Sequence, residues 1–114
     1  MPVCTKWYWA WRLVREGVDV LLSDSDLAFF RNLVADDYPV WQGSWDVAAL
    51  SDSKLAGDPL DYCKQGPCVS TGLVFLRATP ATLALLEDTV STLEAEECVG
   101  WEQPLFNGKV FADK

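Results

Sequence analysis

The chain has 114 residues, of which half are hydrophobic and six are tryptophan, so it has the material for one folded domain or part of one. Nine Lys and Arg residues stand against 17 Asp and Glu residues, and the formal net charge of −8 excludes the basic stripe of a nucleic-acid-binding protein. The absence of His excludes a histidine general base and a histidine-ligated zinc site.

The first half of the chain predicts a helix and then a strand. Residues 6–16 form the helix, because apolar residues recur there at helical spacing, at Trp7, Ala10, Trp11 and Val14. Gly17 is a suitable helix stop. The β-branched and apolar residues 18–22 predict a buried strand. Residues 27–33 predict one helical turn, and residues 46–50 a second short strand.

The second half predicts a loop, a strand and two helices. Residues 51–67 are polar and rich in Pro and Gly, and predict a long loop of the kind that is often functional. Residues 71–77 predict a further strand. Thr79 then caps a helix that has Pro80 at its first position. Its apolar face is formed by Leu83, Leu86, Val90 and Leu93. Residues 100–114 predict a turn and a short helix.

Two carboxylates, Asp24 and Asp26, directly follow the predicted strand at residues 18–22. The order helix, strand, loop, strand, helix indicates an α/β domain, in which ligands gather at the carboxyl ends of strands. Side chains two residues apart in a tight loop can converge on one cation, and hard oxygen ligands suit Mg²⁺ or Mn²⁺. A solvated turn is the alternative, because a chain with 11 Asp contains about one Asp-x-Asp by chance.

Two other Asp-based sites share part of this pattern. A phosphatase with an Asp nucleophile also uses Asp-x-Asp after a strand, but small residues should follow the pair so that the backbone can approach phosphate. Here the bulky segment 27–30 follows instead. An EF-hand is excluded, because its loop Gly and its terminal Glu are missing.

The four cysteines, at positions 4, 63, 68 and 98, form no CxxC pair, which argues against a zinc ribbon or a thioredoxin-like redox site. Cys63 and Cys68 enclose a turn-prone stretch and could form a disulfide in an oxidising compartment, with free thiols as the alternative. No run approaches the roughly 20 apolar residues of a membrane span, and the N-terminal stretch lacks a signal-peptide layout.

Three stretches in a fixed order carry a family resemblance. They are KWYWAWRLVREGVDVLLSDSDLAFFRNL, VSTGLVFLRATPATLALLEDTV and WEQPLFN. Together they resemble the GT-A type nucleotide-diphospho-sugar transferases, and most closely the plant and algal rhamnogalacturonan xylosyltransferases and extensin arabinosyltransferases. In that family a strand ends on DxD, a later strand begins N-[ST]-G and runs through R-[AS]-T into a helix, and a DQ…N segment follows. The likeness covers residues 6–108.

The resemblance implies an α/β fold, namely a partial GT-A (Rossmann-like) three-layer domain with a mixed, mostly parallel sheet. It implies a metal-dependent, retaining glycosyltransferase that moves a sugar from a nucleotide-sugar, expected to be a UDP-sugar, to a glycan or glycoprotein acceptor. The expected cofactor is Mn²⁺ or Mg²⁺.

The resemblance also implies the donor site. Asp24 and Asp26 match the family's pair of acids that contact the metal and the donor. Ser70, Thr71 and Gly72 match the strand start beside the sugar pocket, where a glycine lets the backbone approach a ligand closely.

Three further residues match the third motif. Glu102 and Gln103 are the candidate catalytic residues, expected to face the anomeric carbon opposite the leaving group. Asn107 is expected to bond within the loop or to the ligand. Lys6 resembles a lysine often found upstream of the DxD strand, with a solvated helix charge as the alternative. The chain departs from the family in having Glu102 where Asp is usual, and Val69-Ser70 where an Asn would be usual.

Residues 1–114 are expected to form a single domain, the central part of a larger transferase domain, because no base-binding strand or acceptor region is recognised. A catalytically incomplete binding or regulatory fragment is the alternative. The family acts on cell-wall glycans in the Golgi lumen. Membrane attachment is therefore expected only through an N-terminal anchor that is absent from this chain.

Overall fold

The computed structural model describes residues 3–24, 27–51, 68–98 and 102–110. Its helices are α1 (Val3–Arg15), α2 (Pro80–Ala95) and α3 (Glu102–Val110), with a short 3₁₀ helix at Pro39–Gln42. Its strands are β1 (Val20–Ser23), β2 (Val47–Ser51) and β3 (Val69–Leu76). The predicted helices and strands are thus confirmed. The helical turn predicted for residues 27–33 is wrong, and the long loop predicted after β2 lies outside the described residues.

The three strands form one antiparallel sheet in the order β1-β3-β2. Leu21 of β1 and Ala48 of β2 both pair with Phe75 of the central strand. The α/β class is confirmed, but the expected mostly parallel pairing is wrong for these strands. Parallel neighbours need a long crossover, usually an α-helix. In the described part of the chain between β1 and β3 there is only the 3₁₀ helix and β2.

Local signals explain where α1 and α2 begin and end. Helix α1 is followed by Gly17, whose φ of 86° is the left-handed conformation that glycine adopts without strain. At the start of α2, the Thr79 hydroxyl accepts a hydrogen bond from the Thr82 backbone N–H at 3.2 Å. Pro80 fits the first turn because its missing N–H would have no helical partner there.

The hydrophobic core lies between the helices and one face of the sheet. Its fully buried side chains are Trp7, Val74, Leu76, Leu86, Leu93 and Phe106. The Trp7 and Phe106 rings pack with their centroids 4.9 Å apart, which joins α1 to α3. The predicted apolar faces of α1 and α2 are therefore the faces that build the core.

An irregular segment, residues 31–45, covers the opposite face of the sheet. The rings of Tyr38 and Trp41 pack against Phe75, with centroids 6.2 Å and 5.3 Å away. The Trp41 indole N–H donates to the Leu33 carbonyl at 2.7 Å, which fixes the segment to itself. The domain therefore has a helical layer, a sheet and an irregular layer.

A disulfide joins Cys4 at the start of α1 to Cys98 in the turn after α2. Cys68 is also disulfide-bonded, so the free-thiol alternative is wrong for the described cysteines. Cys63, the other member of the predicted turn disulfide, lies outside the described residues. No helix in the described ranges is long and apolar enough to cross a membrane.

Candidate donor-binding site

The predicted site residues meet where β1 ends and β3 begins. Because these strands are antiparallel, Asp24, just after β1, lies beside Gly72 near the start of β3. The Asp24 backbone N–H donates to the Gly72 carbonyl at 2.9 Å and extends the strand pairing by one step. The sheet therefore fixes the backbone that carries the Asp24 carboxylate.

We call the junction of the end of β1 (Asp24) and the start of β3 (Ser70 to Gly72) the corner. Lys6 of α1 reaches this corner and connects its two strands. Its Nζ donates to Asp24 Oδ1 at 3.1 Å and to the Thr71 carbonyl at 2.9 Å. The Lys6 side chain is 17% exposed, whereas that of Asp24 is 51% exposed. The ammonium group is thus held by the fold, while the carboxylate faces solvent. The solvated-charge alternative for Lys6 is wrong.

Gly72 has no side chain where Asp24 approaches most closely. A Cβ at this position would lie 3.1 Å from Asp24 Oδ2 and 3.3 Å from Ser70 Oγ. The Gly72 backbone N–H donates to that same hydroxyl at 3.1 Å. A carboxylate and a hydroxyl therefore share the space that a side chain would occupy.

Helix α3 supports the start of β3 through two amide side chains one helical turn apart. Gln103 Oε1 accepts from the Thr71 backbone N–H at 3.0 Å and from the Thr71 hydroxyl at 3.3 Å. Asn107 Oδ1 accepts from the Val69 N–H at 2.7 Å, and its Nδ2 donates to the Val69 carbonyl at 2.9 Å. Asn107 is 5% exposed, so these bonds form away from water.

The structure therefore brings together most of the predicted site. Those residues are Asp24, Ser70, Thr71, Gly72, Gln103 and Asn107. Asp26 lies outside the described residues, and of Glu102 only the backbone, at the start of α3, is described. The joint contact of Asp24 and Asp26 with a metal ion and the donor thus stays a prediction.

The oxygens around Gly72 fit a hard divalent cation in their chemistry. Asp24 supplies a carboxylate and Ser70 a hydroxyl, and Mg²⁺ and Mn²⁺ prefer oxygen ligands. No group of three or more acidic or cysteine side chains that could hold a metal occurs among the residues that the structure describes. Asp24 Oδ1 also pairs with the Lys6 ammonium group at 3.1 Å. The described corner therefore carries one positive and one negative side chain.

The contacts of Lys6 with Asp24 and Thr71 were not predicted from the sequence. Lys6 lies one turn before Ala10, at the edge of the stripe that α1 buries. A lysine at the edge of a buried stripe can cover apolar surface with its stem and place its ammonium group at a nearby strand end. This position was the available signal, but the partners of Lys6 are 18 and 65 residues away.

Comparison with known proteins identifies the family of this chain. A family model described as nucleotide-diphospho-sugar transferase matches residues 3–113, almost the whole chain. No curated protein and no solved structure matches the chain. The match includes every described residue of the corner between β1, β3, α1 and α3. The chain therefore belongs to the nucleotide-diphospho-sugar transferases, glycosyltransferases that take a sugar from a nucleotide-sugar donor to an acceptor.

Proposed function

We propose that this chain carries the donor-binding centre of a metal-dependent, retaining glycosyltransferase that uses a UDP-sugar and a glycan or glycoprotein acceptor. The observation that carries the proposal is the bridge from the Lys6 ammonium group to Asp24 and to the Thr71 carbonyl. It places a fixed positive charge at a strand end in a protein of net charge −8. A diphosphate needs such a local charge in an otherwise negative field.

The charges at this corner suit a diphosphate that becomes a leaving group. Sugar transfer breaks the bond between the anomeric carbon and a diphosphate oxygen, and negative charge grows on that oxygen. The Lys6 ammonium group is positioned to stabilise this charge, because its hydrogen bond to the Thr71 carbonyl fixes it before the ligand binds. A divalent cation held by Asp24 and Asp26 would supply further stabilisation of the diphosphate as a Lewis acid.

The opposite wall of the proposed donor site belongs to α3. Gln103 is tied to Thr71, and this bond sets its distance from the strand that carries Gly72. In the proposed mechanism Gln103 and Glu102 face the anomeric carbon from the side opposite the diphosphate, while the acceptor hydroxyl enters on the side that the diphosphate leaves. Ser70 and the Gly72 backbone contact the sugar, and Asn107 acts as a positioning residue that fixes α3 against β3.

The disulfides support a secretory location. Disulfides persist in oxidising compartments and are rare in the cytosol. The bond between Cys4 and Cys98, together with the bonded state of Cys68, therefore favours the Golgi lumen implied by the resemblance to the cell-wall xylosyl- and arabinosyltransferases. The family match favours sugar transfer over an Asp-nucleophile phosphatase.

Titration of the chain with UDP by isothermal calorimetry, with and without Mn²⁺, tests the proposal. The wild type should bind UDP more tightly with Mn²⁺, and the Asp24→Ala, Asp26→Ala double variant should lose this gain. Asp88→Ala is the matched control, since Asp88 is a lysine-paired aspartate far from the corner in sequence and bonded to Lys109. Unchanged UDP affinity in the double variant would reject the metal–diphosphate assignment.

A further inference from the structure

A cavity separate from the donor corner lies at the other end of β1. Its volume is about 540 Å³, within the range of small-molecule sites. The residues that line it are Asp19, Leu21, Val34, Asp36, Trp41 and Arg77. Leu21 pairs with Phe75 in the sheet, and Phe75 packs against the irregular layer. The cavity therefore lies between the sheet and residues 31–45.

Backbone contacts fix the polar groups at this cavity. The Arg77 guanidinium donates to the Trp41 carbonyl, and its Cζ lies 4.4 Å from the centre of the Trp45 ring. Asp19 Oδ1 accepts from the Ala78 backbone N–H at 2.8 Å. A cation and a carboxylate are thus held on two strand ends, before any ligand binds.

The lining selects against charged ligands of either sign. An anion attracted to Arg77 would also meet the carboxylates of Asp19 and Asp36, in a protein of net charge −8. A metal ion attracted to those carboxylates would meet the guanidinium, and no cluster of three metal-ligating side chains occurs in the described ranges. A neutral ligand with many hydroxyl groups avoids both conflicts.

A saccharide fits each part of the lining. Its hydroxyls can donate to the carboxylates and accept from an arginine N–H. Its C–H faces can pack on the apolar side chains of Leu21 and Val34 and on the Trp41 ring. Val34 is 62% exposed, a large apolar side chain open to a ligand at the cavity mouth.

We propose that this cavity binds one unit of a neutral saccharide, independently of the nucleotide-sugar donor. Asp19 and Asp24 flank the four-residue strand β1, and five steps of extended chain span about 16 Å. A sugar held at Asp24 cannot also fill the cavity at Asp19. The cavity therefore gives a glycosyltransferase a second contact with a glycan, at a distance from the reacting sugar. Only this interpretation as a glycan contact rests on the proposed function.

The test is a titration of the isotope-labelled chain with methyl glycosides of glucose, galactose, xylose and arabinose, followed by ¹H–¹⁵N NMR. Inorganic phosphate and Ca²⁺ are titrated in parallel. At least one glycoside should shift the amide resonances of Asp19, Leu21 and Asp36 in a saturable way. The Asp36→Ala variant should weaken this binding about tenfold or more, because a hydrogen bond to a charged group is lost.

The control variant is Asp37→Ala, which removes a neighbouring carboxylate that is also exposed but does not line the cavity, and which should leave glycoside affinity unchanged. The proposal is overturned if none of the four glycosides shifts these resonances, if both variants bind alike, or if phosphate or Ca²⁺ shifts them instead. Titration of Asp36→Ala with UDP and Mn²⁺ distinguishes the two sites, because this variant should bind UDP as the wild type does. In the wild type, UDP binding without glycoside binding would reject the saccharide site alone.

Discussion

Substitution of Gly72 by Ala tests whether the corner acts as a unit. The new Cβ would lie 3.1 Å from Asp24 Oδ2 and 3.3 Å from Ser70 Oγ, so each oxygen must move by a few tenths of an ångström. Both are the ends of side chains, and Asp24 is half-exposed and able to move. We therefore expect the free energy of unfolding to change by less than about 1 kcal/mol.

Donor binding should respond far more strongly than stability. Moving the Asp24 carboxylate disturbs its 3.1 Å contact with Lys6 and its approach to a cation. A hydrogen bond with a charged partner contributes about 1.5–3 kcal/mol, so the affinity for UDP with Mn²⁺ should fall about 10- to 100-fold. Calorimetric titration gives the affinity, and urea denaturation gives the stability.

Gly108 provides the control glycine. It lies in α3, and a Cβ there would meet no heavy atom within 4 Å from the described residues outside the adjacent backbone of its own helix. Gly108→Ala should leave UDP affinity unchanged and should raise the free energy of unfolding by about 0.5–1 kcal/mol, because Ala loses less backbone entropy in a helix. If Gly72→Ala binds UDP as the wild type does, the close approach of Asp24 has no role in donor binding.

Three further variants test the roles of Lys6, Asn107 and the disulfide in binding or stability. Lys6→Met should lower UDP affinity about tenfold in calorimetry and should cost about 1–2 kcal/mol of stability, because the exposed ion pair contributes little whereas the Thr71 carbonyl loses a hydrogen bond. Asn107→Ala removes three hydrogen bonds to backbone groups and should cost about 2–4 kcal/mol in urea denaturation. The Cys4→Ser, Cys98→Ser double variant should lose about 2–5 kcal/mol under oxidising conditions, because the disulfide links residues 94 positions apart.

Each of these variants has its own control or contrary result. Lys109→Met removes a lysine–aspartate pair at 3.0 Å elsewhere on the molecule, and equal losses of UDP affinity in both Met variants would show a general charge effect. Asn32→Ala removes an exposed amide and should cost under about 1 kcal/mol, so an equal loss would contradict the bridging role of Asn107. An unaltered midpoint in the double Ser variant would show that the disulfide does not stabilise the fold.

Elements with local signals could be predicted from the sequence, whereas their pairing could not. Gly17 and Thr79 mark the ends of helices through backbone conformation and capping, which act over a few residues. Strand direction depends on the path of the whole connection, so the mostly parallel sheet implied by the resemblance is wrong for the described strands, which are antiparallel. The helical turn expected at residues 27–33 does not form, and its apolar residues gain only partial burial there: Leu27 is 42%, Phe29 48% and Phe30 95% exposed.

The same distinction applies to the site. Asp24, Gly72 and Gln103 were predicted because their motifs follow one another in a recognisable order. Lys6 and the disulfide between Cys4 and Cys98 depend on contacts between distant segments, which spacing does not encode. The saccharide cavity has the same origin, since a strand end, the irregular layer and the end of β3 form it together.

Under the proposed function, Mn²⁺ and UDP bind together at the corner formed by α1, β1 and β3. Paramagnetic broadening in ¹H–¹⁵N NMR spectra, with Mn²⁺ well below the protein concentration and Mg²⁺ as the diamagnetic reference, locates the ion directly. We predict that the amide resonances of Asp24, Thr71 and Gly72 broaden first, and that UDP strengthens the effect. Broadening centred on Asp36 and Asp37, and indifferent to UDP, would contradict the account.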